Sequence, residues 1–175
     1  LPTVTPTVAS VLVFMYLFNP DFGLFNTVLG WFGFEHIKWL DDPQWSKPSL
    51  IIMSLWGVGG QMVIFLAGLQ SVPEALLEAA SIDGAGRLRK FWHVTVPMIT
   101  PTIFFNVVLG IIYSFQSFTT AFIATGGGPV DSTLFYVLWI YRNAFENFRM
   151  GYASATSWVL LAIILAITLV QFRTS

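Results

Sequence analysis

Small and polar side chains interrupt two long apolar stretches of the chain, and they are the residues best suited to hold a solute. In the later stretch Gly110, Ser114 and Ser117 recur at i, i+4 and i+7, which places them on one face of a helix, with Tyr113 beside them. Hydroxyl groups and an aromatic ring can hold a sugar by its OH groups and its apolar face. Helix packing and interhelical hydrogen bonding use the same residue types, so both roles stay open.

A second small and polar face lies in the preceding apolar stretch. It combines one large aromatic residue, two glycines and an amide: Trp56, Gly57, Gly60 and Gln61. Together the two faces are candidates to line a pathway for a polar solute.

Other kinds of chemistry lack the residues they require. His36 and His93 have no second ligand at helical spacing, so no metal site is predicted. The turn Gly126–Pro129 has no following Lys-Ser/Thr of a phosphate-binding loop, and the chain has no cysteine. We therefore expect a protein that is not an enzyme and has no catalytic residues and no cofactor. A net charge of -1 argues against nucleic acid as a partner.

Composition indicates a membrane protein. The chain is 55% hydrophobic and only 10% charged, against about 25% charged in soluble domains, and its mean hydropathy is +0.73. Four stretches contain no Asp, Glu, Lys or Arg: Leu1–Pro20, Pro48–Val72, Phe91–Val130 and Gly151–Phe172. A helix needs about 20 apolar residues to cross the bilayer, and its backbone must satisfy its own hydrogen bonds there. The predicted fold is an all-α bundle of about four transmembrane helices.

Turn-forming residues set the limits of these spans. Asn19-Pro20 is expected to end the first, and the glycine-rich segment Thr125–Pro129 to follow the third. The predicted spans are Thr7–Phe18, Ser49–Gln70, Pro97 to about Phe118, and Tyr152–Phe172. The first is read as the short end of a longer helix, and the chain as a fragment that lacks N-terminal helices.

Aromatic residues outside the spans predict two further features. Trp31, Trp39 and Trp45 suit a membrane–water interface, where an amphipathic ring has both an apolar and a wet side. Leu134–Phe145 is expected to form an amphipathic helix that lies outside the core.

Residues 71–97 form a charged island between the second and third spans. Ser71 and Glu74 have the spacing of a capping box, with Ser71 as the N-cap of a helix of about three turns. Gly84 is well placed to end that helix in the left-handed conformation. The helix is slim at Ala79 and Ala80 and has no apolar partner in the chain, so it is expected to bind another protein.

The order of residues in this island resembles a known signature. Glu78-Ala79-Ala80, then Gly84, then Val94-x-Val96-Pro97 keep the spacing EAA-x3-G-x9-I-x-LP, with valines at the Ile and Leu positions. This is the EAA motif of permease subunits in binding-protein-dependent ABC importers. The glycine-rich segment Thr125–Pro129 is similar to the T-x-GGP turn of sugar-type permeases. The resemblance covers essentially the whole chain and is closest to the maltose- and glycerol-phosphate-type first permease.

The resemblance implies one transmembrane permease domain over residues 1–175, with a coupling loop at 71–97. The coupling residues it implies are Glu78, Ala79, Ala80, Asp83, Gly84 and Pro97. Their partner would be an ATP-binding cassette ATPase dimer, which binds the ATP. A second permease subunit, an extracytoplasmic solute-binding protein and the lipid bilayer would be the other partners. The implied location is a bacterial or archaeal inner membrane, with the Glu78 loop cytoplasmic.

Charge alone does not decide the orientation. Four basic residues lie on the side of the Glu78 loop and four on the other, so the positive-inside count is a tie. The alternative function is an ion-coupled secondary transporter. That function predicts ionisable residues within the spans, and the four uncharged stretches contain no acidic or basic residue apart from His93.

Overall fold

The computed structural model describes residues 4–174, in which the chain forms helices and loops and no strand. The first three residues of the stretch Leu1–Pro20, and residue 175 of the predicted domain, lie outside the described residues. The α-helices are α1 Thr7–Leu17, α2 Leu24–Trp31, α3 Pro43–Leu55, α4 Gly59–Gln70, α5 Glu74–Ile82, α6 Arg87–Lys90, α7 Val96–Met98, α8 Thr100–Phe115, α9 Thr119–Ala124, α10 Tyr136–Tyr141 and α11 Met150–Thr174. The prediction of an all-α fold is confirmed.

Three helical stretches within residues 4–174 are long and apolar enough to cross a membrane: Pro43–Gln70, Thr100–Ala124 and Met150–Arg173. The first has 28 residues and is therefore about 42 Å long at 1.5 Å per residue. Helix α1 is apolar but shorter, with 11 residues. The predicted count of about four spans thus becomes three long helices and one short one in this part of the chain.

Two predicted boundaries are corrected. The second span begins at Pro43 instead of Ser49, because the Asp42 carboxylate caps α3 by accepting a 2.8 Å hydrogen bond from the Gln44 amide. The third does not end near Phe118. Helix α8 ends at Phe115, and after a short break α9 continues the apolar stretch to Ala124.

An aromatic cluster forms the core at one end of the bundle. Its buried members come from α3, α9, α10, the residue after α1 and the loop before α3: Phe18, Trp39, Leu50, Met53, Ala121 and Leu138. Trp39 is only 7% exposed, so its ring packs within the protein, whereas Trp31 is 78% exposed and Trp45 39%. The interfacial position of these tryptophans stays a prediction. Leu134–Phe145 does contain the helix α10, followed by a π-helical turn at Arg142–Glu146. It is not outside the core, however, because Leu138 is 1% exposed within this cluster.

Asn26 holds the loop that carries Trp39. Its side-chain amide donates to the backbone oxygens of Pro20 (3.0 Å) and Ile37 (2.9 Å). Its oxygen accepts from the Ile37 amide (3.2 Å) and from the Trp39 indole N–H (2.9 Å). All the hydrogen-bonding capacity of this buried side chain is therefore used within its own chain.

Close helix packing links the two halves of the described chain. Helix α4 packs against α8, and α8 packs against α11. Gly68 is buried where α4 and α8 meet, and a Cβ atom there would lie 2.7 Å from the Thr102 hydroxyl oxygen. A glycine at this position lets the two helices approach closely, as small residues do in membrane bundles.

Candidate functional site

A cavity of about 780 Å³ lies between the Pro43–Gln70 stretch and α8. This volume is within the range of small-molecule sites, roughly 300–1,000 Å³. Seven of the eight residues predicted for the solute pathway line it: Gly57, Gly60, Gln61, Gly110, Tyr113, Ser114 and Ser117. The two predicted faces therefore meet across one cavity, although Ser117 lies just beyond the end of α8.

Trp56 is the predicted residue that does not line the cavity. Its ring packs edge-on against Phe14 of α1, with ring centroids 6.2 Å apart. Its helix face is therefore used for packing against α1, and the aromatic surface of the cavity comes from Tyr113 and Phe135 instead.

The backbone next to the cavity is irregular. Residues Trp56–Val58 form a 3₁₀ turn between α3 and α4, in a segment that contains Gly57, Gly59 and Gly60. Added Cβ atoms at Gly57 and Gly60 would meet no atom within 4 Å. A 3₁₀ turn within a long helix often marks a point of bending, so the wall of the cavity is built from a locally weakened helix.

Asn106 also lines the cavity, although it was not among the residues predicted from the sequence. It is 4% exposed, and its amide nitrogen donates to the Thr102 carbonyl oxygen at 3.0 Å. Its side-chain oxygen has no hydrogen-bond partner within the described residues. A sequence signal existed, because Asn106 precedes Gly110 by four residues and Ser114 by eight, on the same helix face.

The cavity has little charge. Among the described residues that line it, Lys47 is the only one with an acidic or basic side chain. The remaining polar groups are neutral amides and hydroxyls, which bind neutral hydroxyl-bearing solutes without the cost of burying an ion.

The loop at 71–97 forms a second, separate feature. Helix α5 ends as predicted at Gly84, whose φ is +76°. The Ala85 amide donates to the Ala80 carbonyl at 2.9 Å and the Gly84 amide to the Ser81 carbonyl at 3.0 Å. These two bonds define a Schellman motif, which a left-handed glycine allows without strain. The predicted helix stop is confirmed.

The predicted capping box at Ser71 is wrong. The Ser71 hydroxyl donates to the Gly68 carbonyl at 2.7 Å, at the end of the preceding helix, instead of accepting from the next one. Pro73 is the N-cap of α5 and provides no side-chain hydrogen bond. Ser71 thus ends α4, and the proline sets the direction in which α5 begins.

The structure brings together four of the six predicted coupling residues. Ala79, Ala80, Asp83 and Pro97 line a cleft of about 350 Å³ between α5 and the segment 93–98. Glu78 lies outside this cleft, is exposed, and its carboxylate forms no ion pair within residues 4–174. Gly84 is also outside it, at the end of the helix, and has open space around it.

The loop that carries Glu78 also exposes large apolar residues, which were not among the predicted coupling residues. Ile82 is 86% exposed, Leu88 77% and Trp92 62%, and no residue of α5 is buried. Large apolar side chains in an otherwise charged loop are the signal that could have identified them. Such a surface is typical of a protein–protein contact.

No group of three or more His, Asp or Glu residues that could hold a metal occurs in the described part of the chain. The three membrane-length helices, with a cavity between two of them, define a helical membrane protein. The chain belongs to the family of binding-protein-dependent transport system inner membrane components, whose profile matches residues 1–173. The resemblance found in the sequence is therefore confirmed.

Curated relatives are transport permeases. The chain is 44% identical over 172 residues to a probable ABC transporter permease protein, YesP, of Bacillus subtilis, covering 97% of this chain and 55% of that protein. It is 34% identical over 174 residues to the sulfoquinovosyl glycerol permease SmoG of Agrobacterium fabrum, covering 99% of this chain and 56% of that protein. It is 38% identical over 172 residues to the sn-glycerol-3-phosphate permease UgpA of Pectobacterium atrosepticum, covering 97% of this chain and 58% of that protein. The chain thus spans a little more than half the length of these relatives.

Solved structures share the fold. A chain of a bacterial ABC transporter that imports the acidic polysaccharide alginate matches with a TM-score of 0.89 and 25% identity, over 99% of this chain and 61% of that one. A chain of a bacterial alginate ABC transporter, in complex with an alginate pentasaccharide-bound periplasmic protein, matches with a TM-score of 0.88 and 26% identity. The match covers 98% of this chain and 60% of that one.

Proposed function

We propose that this chain is part of the membrane-spanning permease subunit of an ATP-driven importer for a sugar, a polyol or a related glycerol-phosphate solute. The family and the named relatives support this proposal over an ion-coupled secondary transporter. The three long helices also support it, because their only charged residues within the described chain are Lys47 and Arg173, close to helix ends. An ion-coupled carrier would require ionisable groups within the spans.

The observation that carries the proposal is the exposed helix α5. It has no buried residue and ends in a Schellman turn. Its Glu78 forms no ion pair within residues 4–174, and Ile82, one helical turn further on, is 86% exposed. In this proposal the α5–α6 surface is cytoplasmic and binds one subunit of an ATP-binding cassette ATPase dimer, which binds and hydrolyses the ATP. Glu78 would meet a basic group of the ATPase, and Ile82 would be covered in the contact.

The cavity between α4 and α8 holds the solute in this proposal. A second permease subunit completes the translocation path, and a solute-binding protein delivers the solute from the other side of the membrane. The pentasaccharide-bound periplasmic protein in complex with one matching transporter supports the last partner. Closure of the ATPase dimer would move α5, and the adjoining helices α4 and α8 would carry the movement to the cavity.

Charge reversal at Glu78 tests this proposal. We expect Glu78→Lys in the full-length permease to lose most of the ATPase that co-purifies with the wild-type protein, because removing one member of a buried charge pair costs about 2–5 kcal/mol. Glu35→Lys is the matched control, since Glu35 is also exposed but lies in the loop before α3, far along the chain from α5. Wild-type retention of the ATPase by Glu78→Lys would contradict the assigned coupling surface.

A further inference from the structure

The helix α2 carries apolar residues on two opposite sides. On one side Phe25 and Leu29 pack against the aromatic cluster, and the neighbouring Asn26 is buried. The opposite side is exposed and also apolar, with residues at i, i+4 and i+7: Leu24, Val28 and Trp31. A helix whose outer side faced water would be expected to carry polar or charged residues there. Water alone therefore does not explain the composition of this exposed side.

Two further aromatic residues extend this apolar side beyond the end of α2. Phe32 is 74% exposed and Phe34 63%. The backbone fixes their turn, because the Gly33 amide donates to the Gly30 carbonyl at 3.1 Å. The Phe34 amide donates to the Leu29 carbonyl, also at 3.1 Å, and Gly33 has a φ of +80°. These features define a Schellman motif, so the exposed rings are held on a defined turn.

Charged residues border this surface but do not enter it. Residues 22–34 contain no acidic or basic side chain, whereas Asp21 precedes them and Glu35 and His36 follow them. An exposed apolar patch with a polar border is typical of a contact with a membrane or with another protein. The position of the patch in the bundle favours the membrane.

Ring contacts place α2 level with the start of a membrane-length helix. Phe25 contacts Trp39 with ring centroids 5.8 Å apart, and Trp39 contacts Trp45, in the first turn of α3, at 5.4 Å. The stretch Pro43–Gln70 is about 42 Å long, whereas the hydrocarbon core of a bilayer is about 30 Å thick. Its first turns can therefore lie among the lipid headgroups, and α2 lies level with them.

The apolar patch continues onto the outer side of α1. The Phe22 ring contacts the Tyr16 ring, with centroids 5.3 Å apart, and both residues are more than half exposed. Leu12, one turn before Tyr16, is also more than half exposed. Helix α1 is apolar, whereas α2 has eight residues and is about 12 Å long, too short to cross the bilayer. This arrangement suits a helix that lies along the membrane surface.

We infer that the exposed side of α2 and the turn after it bind phospholipid, with α2 lying in the plane of the membrane at the level of the headgroups. The residues in contact with lipid are Leu24, Val28, Trp31, Phe32 and Phe34. Phospholipid fits this surface better than a second protein, because the patch is uncharged, continues onto an apolar helix and lies where a longer helix enters the bilayer. The inference is independent of the solute and of the ATPase. It extends the interfacial role predicted for Trp31 to a whole lipid-binding surface.

Depth-dependent fluorescence quenching in phosphatidylcholine vesicles tests the inference. Phe34→Cys is introduced as the single cysteine of the full-length permease in the assembled transporter and is labelled with the polarity-sensitive dye NBD. Asp41→Cys is the matched control, because Asp41 is also exposed but lies in the charged turn before α3. The same dye at both positions removes its own affinity for the bilayer from the comparison. The quenchers are phosphatidylcholine with a nitroxide near the headgroup, phosphatidylcholine with a nitroxide near the end of the acyl chain, and iodide on both sides of the membrane.

We expect the headgroup-proximal nitroxide to quench the dye at position 34 several-fold more than the chain-end nitroxide does. Iodide should quench it several-fold less than it quenches the dye at position 41. Equal quenching by iodide at the two positions would show that the patch faces water, and quenching by none of the three would show that protein covers it. Stronger quenching by the chain-end nitroxide would place α2 deeper than the headgroups. Each of these three results would overturn the inference, and Trp31→Cys gives the same readout if Phe34→Cys does not assemble.

Discussion

The two ends of the Pro43–Gln70 helix differ in how much of the nearby chain is buried and hydrogen-bonded within the protein. At the first end, Leu50 and Met53 are buried in the aromatic cluster, and the nearby Asn26 makes four hydrogen bonds. At the second end, the helix leads into α5, which buries no residue and leaves the Glu78 carboxylate unpaired within residues 4–174. The first end is a finished structural core. In the proposed function, another protein covers the second.

This difference predicts where a mutation affects folding and where it affects assembly. A residue at the first end contributes to stability through contacts that the chain makes with itself. A residue at the second end is expected to contribute little to stability, because α5 buries no residue in the described chain. The following substitutions test this distinction.

Asn26→Leu should have the largest effect on stability. It leaves the Ile37 amide and the Trp39 indole N–H buried without acceptors, and each unsatisfied group costs about 1–3 kcal/mol. We expect the free energy of unfolding of the purified permease to fall by about 3 kcal/mol, which would lower its unfolding midpoint strongly. Thr27→Val is the control in the same helix and should change stability little, because Thr27 is exposed and bonds only to the Gly23 carbonyl. A wild-type midpoint for Asn26→Leu would show that this end is not a self-contained core.

Gly84→Val should have a smaller and more local effect. A β-branched residue resists the φ of +76°, at a cost of roughly 1–2 kcal/mol for a left-handed residue. We expect faster hydrogen exchange at the Ala85 amide and weaker retention of the ATPase, with global stability nearly unchanged. Gly86→Val is the control, because Gly86 has an ordinary φ of -66° and is also surrounded by open space. Equal ATPase retention in the two variants would show that the Schellman turn is not required for binding the ATPase.

Features that depend on neighbouring residues were predictable from the sequence. The helix stop at Gly84 follows from a glycine after a helical pattern, and the all-α fold follows from four long uncharged stretches. The face Gly110–Ser114 also follows, because a helix repeats every 3.6 residues. These predictions needed no knowledge of distant contacts.

The features that were not predicted depend on competition between hydrogen-bond partners or on contacts between residues far apart in the chain. Ser71 had two possible backbone partners, and the carbonyl of Gly68 was taken instead of an amide of α5. Trp39 became buried because Asn26, 13 residues earlier, binds its indole N–H. Trp56 packs against Phe14, which lies in a different helix. Sequence spacing within one helix contains no information on such contacts.

The most direct test of coupling measures whether α5 and the cavity act together. A single cysteine at Ser114, in the cavity, is labelled with a membrane-impermeant maleimide in the assembled transporter, without nucleotide and with ATP trapped on the ATPase. We expect the labelling rate to differ several-fold between these states in the otherwise wild-type protein, and to be the same in both states when Glu78→Lys is added. A rate that does not depend on nucleotide in the protein with Glu78 intact, or a dependence that survives Glu78→Lys, would contradict coupling between α5 and the cavity.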